Sequence, residues 1–479
     1  MKSLLLASPI LLPLATSLAC ALASSGRARR WLGFAGAAAL LLATVALVWL
    51  VGQEGAQRVA LGGWDAPYGI ELVLDAVSAP MTLITAVVLL CALLYGESDA
   101  DPPPRSGELH PLLFALIAGV GGTFVTGDLF NLYVWFEVML LSALGLLARG
   151  GDRASLDASM KYFVLNAVGT IVFLVGIGLV YAGTGHLNYG ALADAASREG
   201  AERWLPFVSL LTVAFLVKAG AFPVFAWLPA SNPALPAPLL ALFAGLLTKV
   251  GVFALLRTHG SVFAAAPSLI FEAVGWLGAA SMIVGALGAI YHYDMRRILS
   301  FHIVSQVGYM LFGIALATEE AGVATLYYVI HHIAAKSNLF LLAGVIAAIS
   351  GSYDLRRCGG LYASRPGLAL LFLVAALSMV GMPPLSGFWA KWMLLREGVQ
   401  GGRVVWTSAA LLTGFLTLVS MMKIWFEAFL REAPEGARPE VSQRRLGPAY
   451  GSIAAFASIT IALGLAPEPV LRFLEGASR

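Results

Sequence analysis

Charge is what this chain has least of. Asp, Glu, Lys and Arg together make up 12% of its 479 residues, against 59% hydrophobic. A soluble domain of that length cannot be covered with so few charges, and a polytopic membrane protein is the class that fits. Cysteine is scarce too. Cys20, Cys91 and Cys358 stand far apart with no C-x-x-C pair, which argues against a disulfide framework, a metal site or iron–sulfur ligation. No G-x-G-x-x-G or P-loop occurs, so a bound nucleotide as energy source is not indicated. The formal net charge of +3 comes without any basic run, and no nucleic-acid partner is expected. No cofactor, metal set or catalytic centre is legible, which points to an ion transporter component rather than an enzyme.

What is present is long apolar windows. They fall near 4–23, 31–51, 71–95, 110–126, 129–148, 161–182, 205–227, 236–256, 268–291, 298–317, 321–350, 367–394, 405–430 and 449–468. This predicts an all-α membrane protein of about fourteen transmembrane helices with short loops. The first window resembles a signal peptide, yet its apolar run is long enough to span, and we read it as an uncleaved helix. Arginine crowds the loops of one side, among them Arg27, Arg29, Arg30, Arg105, Arg149, Arg153, Arg296, Arg297, Arg356, Arg357, Arg438 and Arg444. The other side carries fewer basic residues, including Arg58, Arg198, Arg203, Arg257 and Arg479. By the positive-inside rule both termini lie outside the cell inner (cytoplasmic) membrane.

Five lysines break the apolar windows: Lys218, Lys249, Lys336, Lys391 and Lys423. A charge at the centre of a membrane helix costs about 2.5–3.5 kcal/mol, so it is usually kept for a task. Arginine stays charged, whereas a buried lysine can release its proton, so this selection of lysine suggests proton relay. Lys218 precedes Gly220 and Pro223, and Lys391 follows Gly381, Pro383 and Pro384. Proline lacks an N–H and clashes with the carbonyl four residues back, so both helices are expected to break there. Broken membrane helices expose carbonyls beside ion sites. The two breaks divide the chain into an N-terminal three-helix segment (1–109), two five-helix units (110–258 and 259–432) and a C-terminal helix (433–479). Five helices is an odd number, so the units form inverted repeats.

Glu137 lies about nine residues into a span, and Lys218 is its natural partner; a static ion pair that fixes packing is the structural alternative. Tyr328, His332 and Lys336 follow at spacings of four and share one helix face. His331 points away and is read as a bond to a neighbouring helix, while His302 is a further relay candidate alongside His331 and Tyr328. Lys423 is read as snorkelling or pairing locally. Asp75, Asp128 and Asp294 sit near span ends, where carboxylates cap helices or pair with arginine.

The blocks KAGAFPVFAWLP, DMRRILSFHIVSQVGYM, HHIAAKSNLFL and MPPLSGFWAKW resemble those shared by the antiporter-like membrane subunits of respiratory complex I and the Mrp-type multisubunit cation/proton antiporters. GGWDAPYGIELVLDAVSAPM and TGDLFNLYVWFEVML resemble the D subunit of the Mrp type. The resemblance implies a fourteen-helix core with two inverted five-helix half-channels joined by a hydrophilic axis. By motif, Glu137 matches the family's fifth-helix glutamate, Lys218 its first broken-helix lysine and Lys249 its eighth-helix lysine. His332 and Lys336 match the eleventh-helix pair, and Lys391 the terminal residue of the second break, a glutamate in some complex I members. It implies no long lateral helix, and a hetero-oligomeric membrane complex whose other subunits are the partners, with protons and Na+ as the ions moved. The alternative is a proton-pumping subunit of a complex I-like NADH:quinone oxidoreductase or membrane-bound hydrogenase; a non-transporting assembly component is the third class.

Overall fold

Backbone amides in lipid have no water to bond, so an apolar chain must satisfy them internally and becomes helical. The computed structural model describes residues 2–64, 68–100, 109–198, 201–264, 267–433 and 445–476. Arg105, Arg438, Arg444 and Arg479, used above for orientation, lie outside these residues, as does the central part of the GGWDAPYG block.

In chain order come α1 (Ser8–Leu22), α2 (Gly26–Glu54), a hairpin of β1 (Gln57–Ala60) and β2 (Glu71–Leu74), α3 (Ser78–Gly96), α4 (Leu109–Val125), α5 (Leu129–Ala148) and α6 (Arg153–Thr184). Then follow the short α7 (Tyr189–Arg198), α8 (Ala201–Ala219), α9 (Ala237–Val262), α10 (Ser268–Tyr291), α11 (Met295–Leu316) and α12 (Glu319–Ser350). The chain continues with α13 (Pro366–Val380), α14 (Ser386–Gln400), α15 (Val404–Leu430), α16 (Gly447–Leu465) and α17 (Glu468–Glu475). Ten helices among the described residues are long and apolar enough to cross a membrane.

Burial separates centre from rim. The most apolar windows of α9 and α11 are 94% buried and that of α12 is 89%, whereas those of α2 and α6 reach only 33% and 39%. The first three helices therefore form the interior. The exposed apolar side chains of α6, such as Leu156, Val164, Ile171 and Leu179, form a face suited to lipid.

Two boundaries differ from expectation. Residues 71–74, placed in a span, are a strand paired antiparallel with β1, Gln57 opposite Leu74 and Ala60 opposite Glu71. Four alternating residues on each side give a period of two, which an apolar window average hides. The window ending at 256 continues as a π-helical turn, Thr258–Val262, carrying Arg257 and His259 into the packed protein.

The span-end carboxylates behave as read. Asp128 caps α5 by accepting from Asn131 N at 2.8 Å, and Asp294 caps α11 by accepting from the amides of Arg296 and Arg297. Asp75 accepts from Val77 N and Ser78 N and is paired with Arg257. Lys423 donates to the carbonyls of Ile290 (2.6 Å) and His292 (2.5 Å) at the end of α10, where exposed carbonyls favour a cation.

Candidate functional site

Both proline-marked helices break where the sequence placed the breaks. α8 ends at Ala219 and Gly220 takes φ +67°; α13 ends at Val380 and Gly381 takes φ +97°. A side chain at either position would meet the left-handed strain that glycine avoids. The Phe222–Pro223 and Pro383–Pro384 peptides are both cis. Carbonyls freed at the breaks find different donors. At the first, the Trp227 indole donates to Val217 O at 3.1 Å; at the second, Lys391 Nζ donates to Met379 O (3.0 Å) and Val380 O (2.9 Å).

Four lysines lie in the interior: Lys218 (4% exposed), Lys249 (0%), Lys336 (0%) and Lys391 (6%). Among the described residues no carboxylate lies within ion-pair distance of any of them. Aromatic faces and carbonyls take that place. Lys218 Nζ stands 5.2 Å from the Phe136 ring, Lys336 Nζ 5.7 Å from Phe340 and Lys391 Nζ 4.9 Å from Tyr309. Each contact is worth on the order of 1 kcal/mol, far less than a buried ion pair's attraction. The lysines are therefore held loosely enough to exchange protons.

This corrects one expectation. Glu137 and Lys218 do not form a closed ion pair: Glu137 Oε1 and Lys218 Nζ are both buried without a hydrogen-bond partner. Glu137 is nonetheless the acidic group whose field reaches Lys218. The reason is geometric. Phe136, one residue before Glu137, puts its ring beneath Lys218 Nζ, and a small cavity lined by Asn166, Thr170 and Phe173 adjoins the lysine.

Lys249 owes its place to a π-helical segment of α9, Phe243–Leu247, after which it turns back to donate to Ala244 O (2.8 Å) and Thr248 Oγ1 (3.0 Å). Wide π turns loosen the carbonyl ladder and recur at functional sites. α12 meets α9 at the same segment. Ser337 Oγ donates to Ala241 O at 3.0 Å, and a Cβ on Gly245 would lie 2.4 Å from Ser337 Oγ. That approach brings Lys336 and His332 into electrostatic range of Lys249. Both ring nitrogens of His332 and the Nζ of Lys336 lack hydrogen-bond partners.

The remaining candidates connect toward Lys391. His331 Nδ1 meets Ser386 Oγ of α14 at 2.8 Å, a bond to a neighbouring helix as read, and Ser386 contacts Ser378 Oγ at 3.2 Å. Tyr328 donates to Gln306 Oε1 and stacks on Tyr309 at 5.4 Å, the ring that underlies Lys391. His302 Nε2 bonds Ser420 Oγ at 2.6 Å. Gln306, Ser386, Ser378, Ser420 and Thr248 escaped the sequence reading. Their only signal is being polar within an apolar span, as in FHIVSQVGYM.

Comparison with known proteins agrees with this arrangement. Residues 126–417 match the family model described as NADH:quinone oxidoreductase/Mrp antiporter, TM. The chain is 39% identical to the D subunit of the Na(+)/H(+) antiporter of Alkalihalophilus pseudofirmus, over 91% of this chain and 88% of that one. It is 36% identical to the D subunit of the Na(+)/H(+) antiporter of Bacillus subtilis, over 90% and 87%. A chain from the Mrp complex of a Dietzia species superposes with a TM-score of 0.89 at 30% identity, covering 99% of this chain and 97% of that one. The chain thus belongs to the NADH:quinone oxidoreductase/Mrp antiporter family of membrane proteins.

Proposed function

We propose that this chain is the D-type, proton-translocating subunit of a multisubunit Na+/H+ antiporter in the cell membrane. Protons move along Glu137, Lys218, Lys249, His332/Lys336 and Lys391, and the cation crosses in coupling with partner subunits. One observation carries the reading: four enclosed lysines stand without a bonded carboxylate, spread over α8, α9, α12 and α14. Static structural lysines would be paired, because an unpaired buried charge is expensive.

The chain crosses the membrane fourteen times in this reading, both termini outside. Each broken helix counts as one crossing: α8 together with the short turn Trp227–Ser231, and α13 together with α14. Residues 110–258 and 259–432 are the inverted five-helix repeats, flanked by 1–109 and 433–479. Several parallels support this. The second helix of each unit starts at a capping aspartate, and that residue bridges to the chain just beyond the third helix: Asp128 to Asn188 and Asp294 to Asp354. Both third helices, α6 and α12, are 32 residues long. Both fourth helices break at a positive-φ glycine.

The open Glu137–Lys218 contact gates the first step. When the carboxylate swings to the ammonium, the proton stays on Lys218; when it leaves, the proton is driven toward Lys249. Like charges on Lys249 and Lys336 repel, so a proton arriving at one favours departure from the other. His332 lies between them as the neutral carrier. Each charge carried across 100 mV is worth about 2.3 kcal/mol, within reach of one gained or lost ion contact.

The test is sodium-driven ΔpH in inside-out vesicles from an antiporter-deficient host expressing the whole complex. Wild type should respond and Lys218→Ala should not, at equal assembly. An assembled wild-type complex that ignores sodium would refute the antiporter reading.

A further inference from the structure

α9 holds a second titratable group that the relay does not use. His259 sits in the π-helical turn Thr258–Val262 and is 1% exposed. Its Nε2 meets Thr212 Oγ1 of α8 at 2.8 Å, and its Nδ1 meets Thr258 Oγ1 at 3.0 Å. Both hydroxyl protons are already committed: Thr212 donates to Val208 O and Thr258 to Ala254 O, each at 2.6 Å. A hydroxyl has one proton to give, so both threonines face the ring as acceptors. Two acceptors match an imidazolium, which donates from both nitrogens. A neutral ring donates from one only, and then one threonine must release its carbonyl and turn its proton to the bare nitrogen. Protonation of His259 is thereby tied to rotation of a hydroxyl.

The same ring lines a cavity of about 430 Å³ that runs to the surface at Ser261, Thr318 and Glu319. Asp75 and Arg257, bonded at 2.5 and 2.8 Å, form part of its wall and also line a second cavity of about 710 Å³ on their other side. Toward the membrane interior the lining turns dry: Phe215 and Phe253 are buried, and Phe253 packs edge-on to Phe124 at 4.9 Å. Thr212 is six residues from Lys218 on α8, and His259 ten from Lys249 on α9, which is about 9 and 15 Å of helical rise.

We propose that His259 is the proton-exchange site at the vestibule end of the first half-channel, with Thr212 and Thr258 as its switching partners. It takes a proton on one ring nitrogen and yields one from the other, to vestibule water on one side and to water crossing the Phe215/Phe253 layer on the other. The groups that face it are Thr212 from α8, Arg257 and Thr258 from α9, Phe271 from α10 and Glu319 from α12, with Asp75 and Tyr189 beside Arg257. This rests on the transport reading above, so the experiment includes a measurement independent of transport.

In the assembled complex, His259→Gln should lower sodium-driven proton movement at least tenfold. Thr258→Val, which removes one acceptor, should shift the pH profile by about one unit toward acid, and Thr258→Ser should restore it. Nitrogen-15 NMR of histidine-labelled complex should show His259 titrating, with the same acid shift in Thr258→Val. A His259→Gln variant with wild-type rate and profile overturns the proposal while leaving the antiporter reading intact. If the wild-type complex moves no protons with sodium, the NMR titration decides: a shift by Thr258→Val upholds the switch, and its absence overturns it.

Discussion

Lys391 reaches back across its own helix break, its Nζ bonded to the last two carbonyls of α13, Met379 and Val380. The contact makes one side chain both the donor that satisfies the break and the last proton site of the axis. Lys391→Ala should therefore reduce sodium-driven antiport by an order of magnitude or more. Lys391→Arg is the sharper probe. Arginine keeps the charge and the donors but does not give up its proton. The Lys391→Arg variant should assemble and remain inactive; recovery of transport there would show that proton release from this position is not required.

Glu137 and Lys218 are near enough to feel each other and too far apart to be bonded. If they act as a unit, their mutations cannot add. Glu137→Gln and Lys218→Ala should each abolish transport in an assembled complex. In a double-mutant cycle on residual rate, the second change should cost little once the first is made, a coupling on the order of 1–3 kcal/mol. Additive losses would mean the two residues serve separate steps.

How much of this was visible beforehand depends on the kind of residue. Lys218, Lys249, Lys336 and Lys391 announce themselves because lipid penalises them, and Gly220, Pro223, Pro383 and Pro384 because helices cannot pass through them. Ser386, Gln306 and Ser420 carry no such penalty, and their partners are remote in sequence, His331, Tyr328 and His302 respectively. The β1–β2 hairpin was hidden because Glu71–Leu74 runs directly into an apolar helix. The open state of Glu137 and Lys218 follows from the Phe136 ring, which only packing could place.

Helix contact brings the first two axis lysines to their relative positions. Gly251 of α9 lies against α8 so closely that a Cβ would stand 2.4 Å from Ala219 N and 2.8 Å from Phe215 O. Backbone atoms cannot step aside as a side chain would, and small residues are what permits such approaches in membranes. Gly251→Ala should lower stability by about 1–3 kcal/mol, as overpacking does, and displace Lys249 from Lys218. Thermal melts of the purified complex measure the first effect and antiport the second. An unchanged melting temperature with full activity would show that the two helices can separate freely.

The Asp75–Arg257 pair gives a pH prediction with a definite sign. Burial alone would raise the Asp75 carboxyl, but the Arg257 charge, its two bonds and those from Ser78 outweigh it, and the value falls from 3.8 to about 2. A carboxylate lowered on folding stabilises the fold fully above its unfolded value and loses that contribution as pH falls through the folded one. The shift of roughly two units corresponds to about 2–3 kcal/mol. Between pH 5 and 9 the contribution is therefore constant and is lost between about pH 4 and 2. Asp75→Asn should melt lower than wild type by an equal amount across pH 5–9, with the gap narrowing only in strong acid. A gap that opens between pH 6 and 8 would assign the pH response of this face to another group, and His259 would be the one to examine by the same melts in a His259→Gln background.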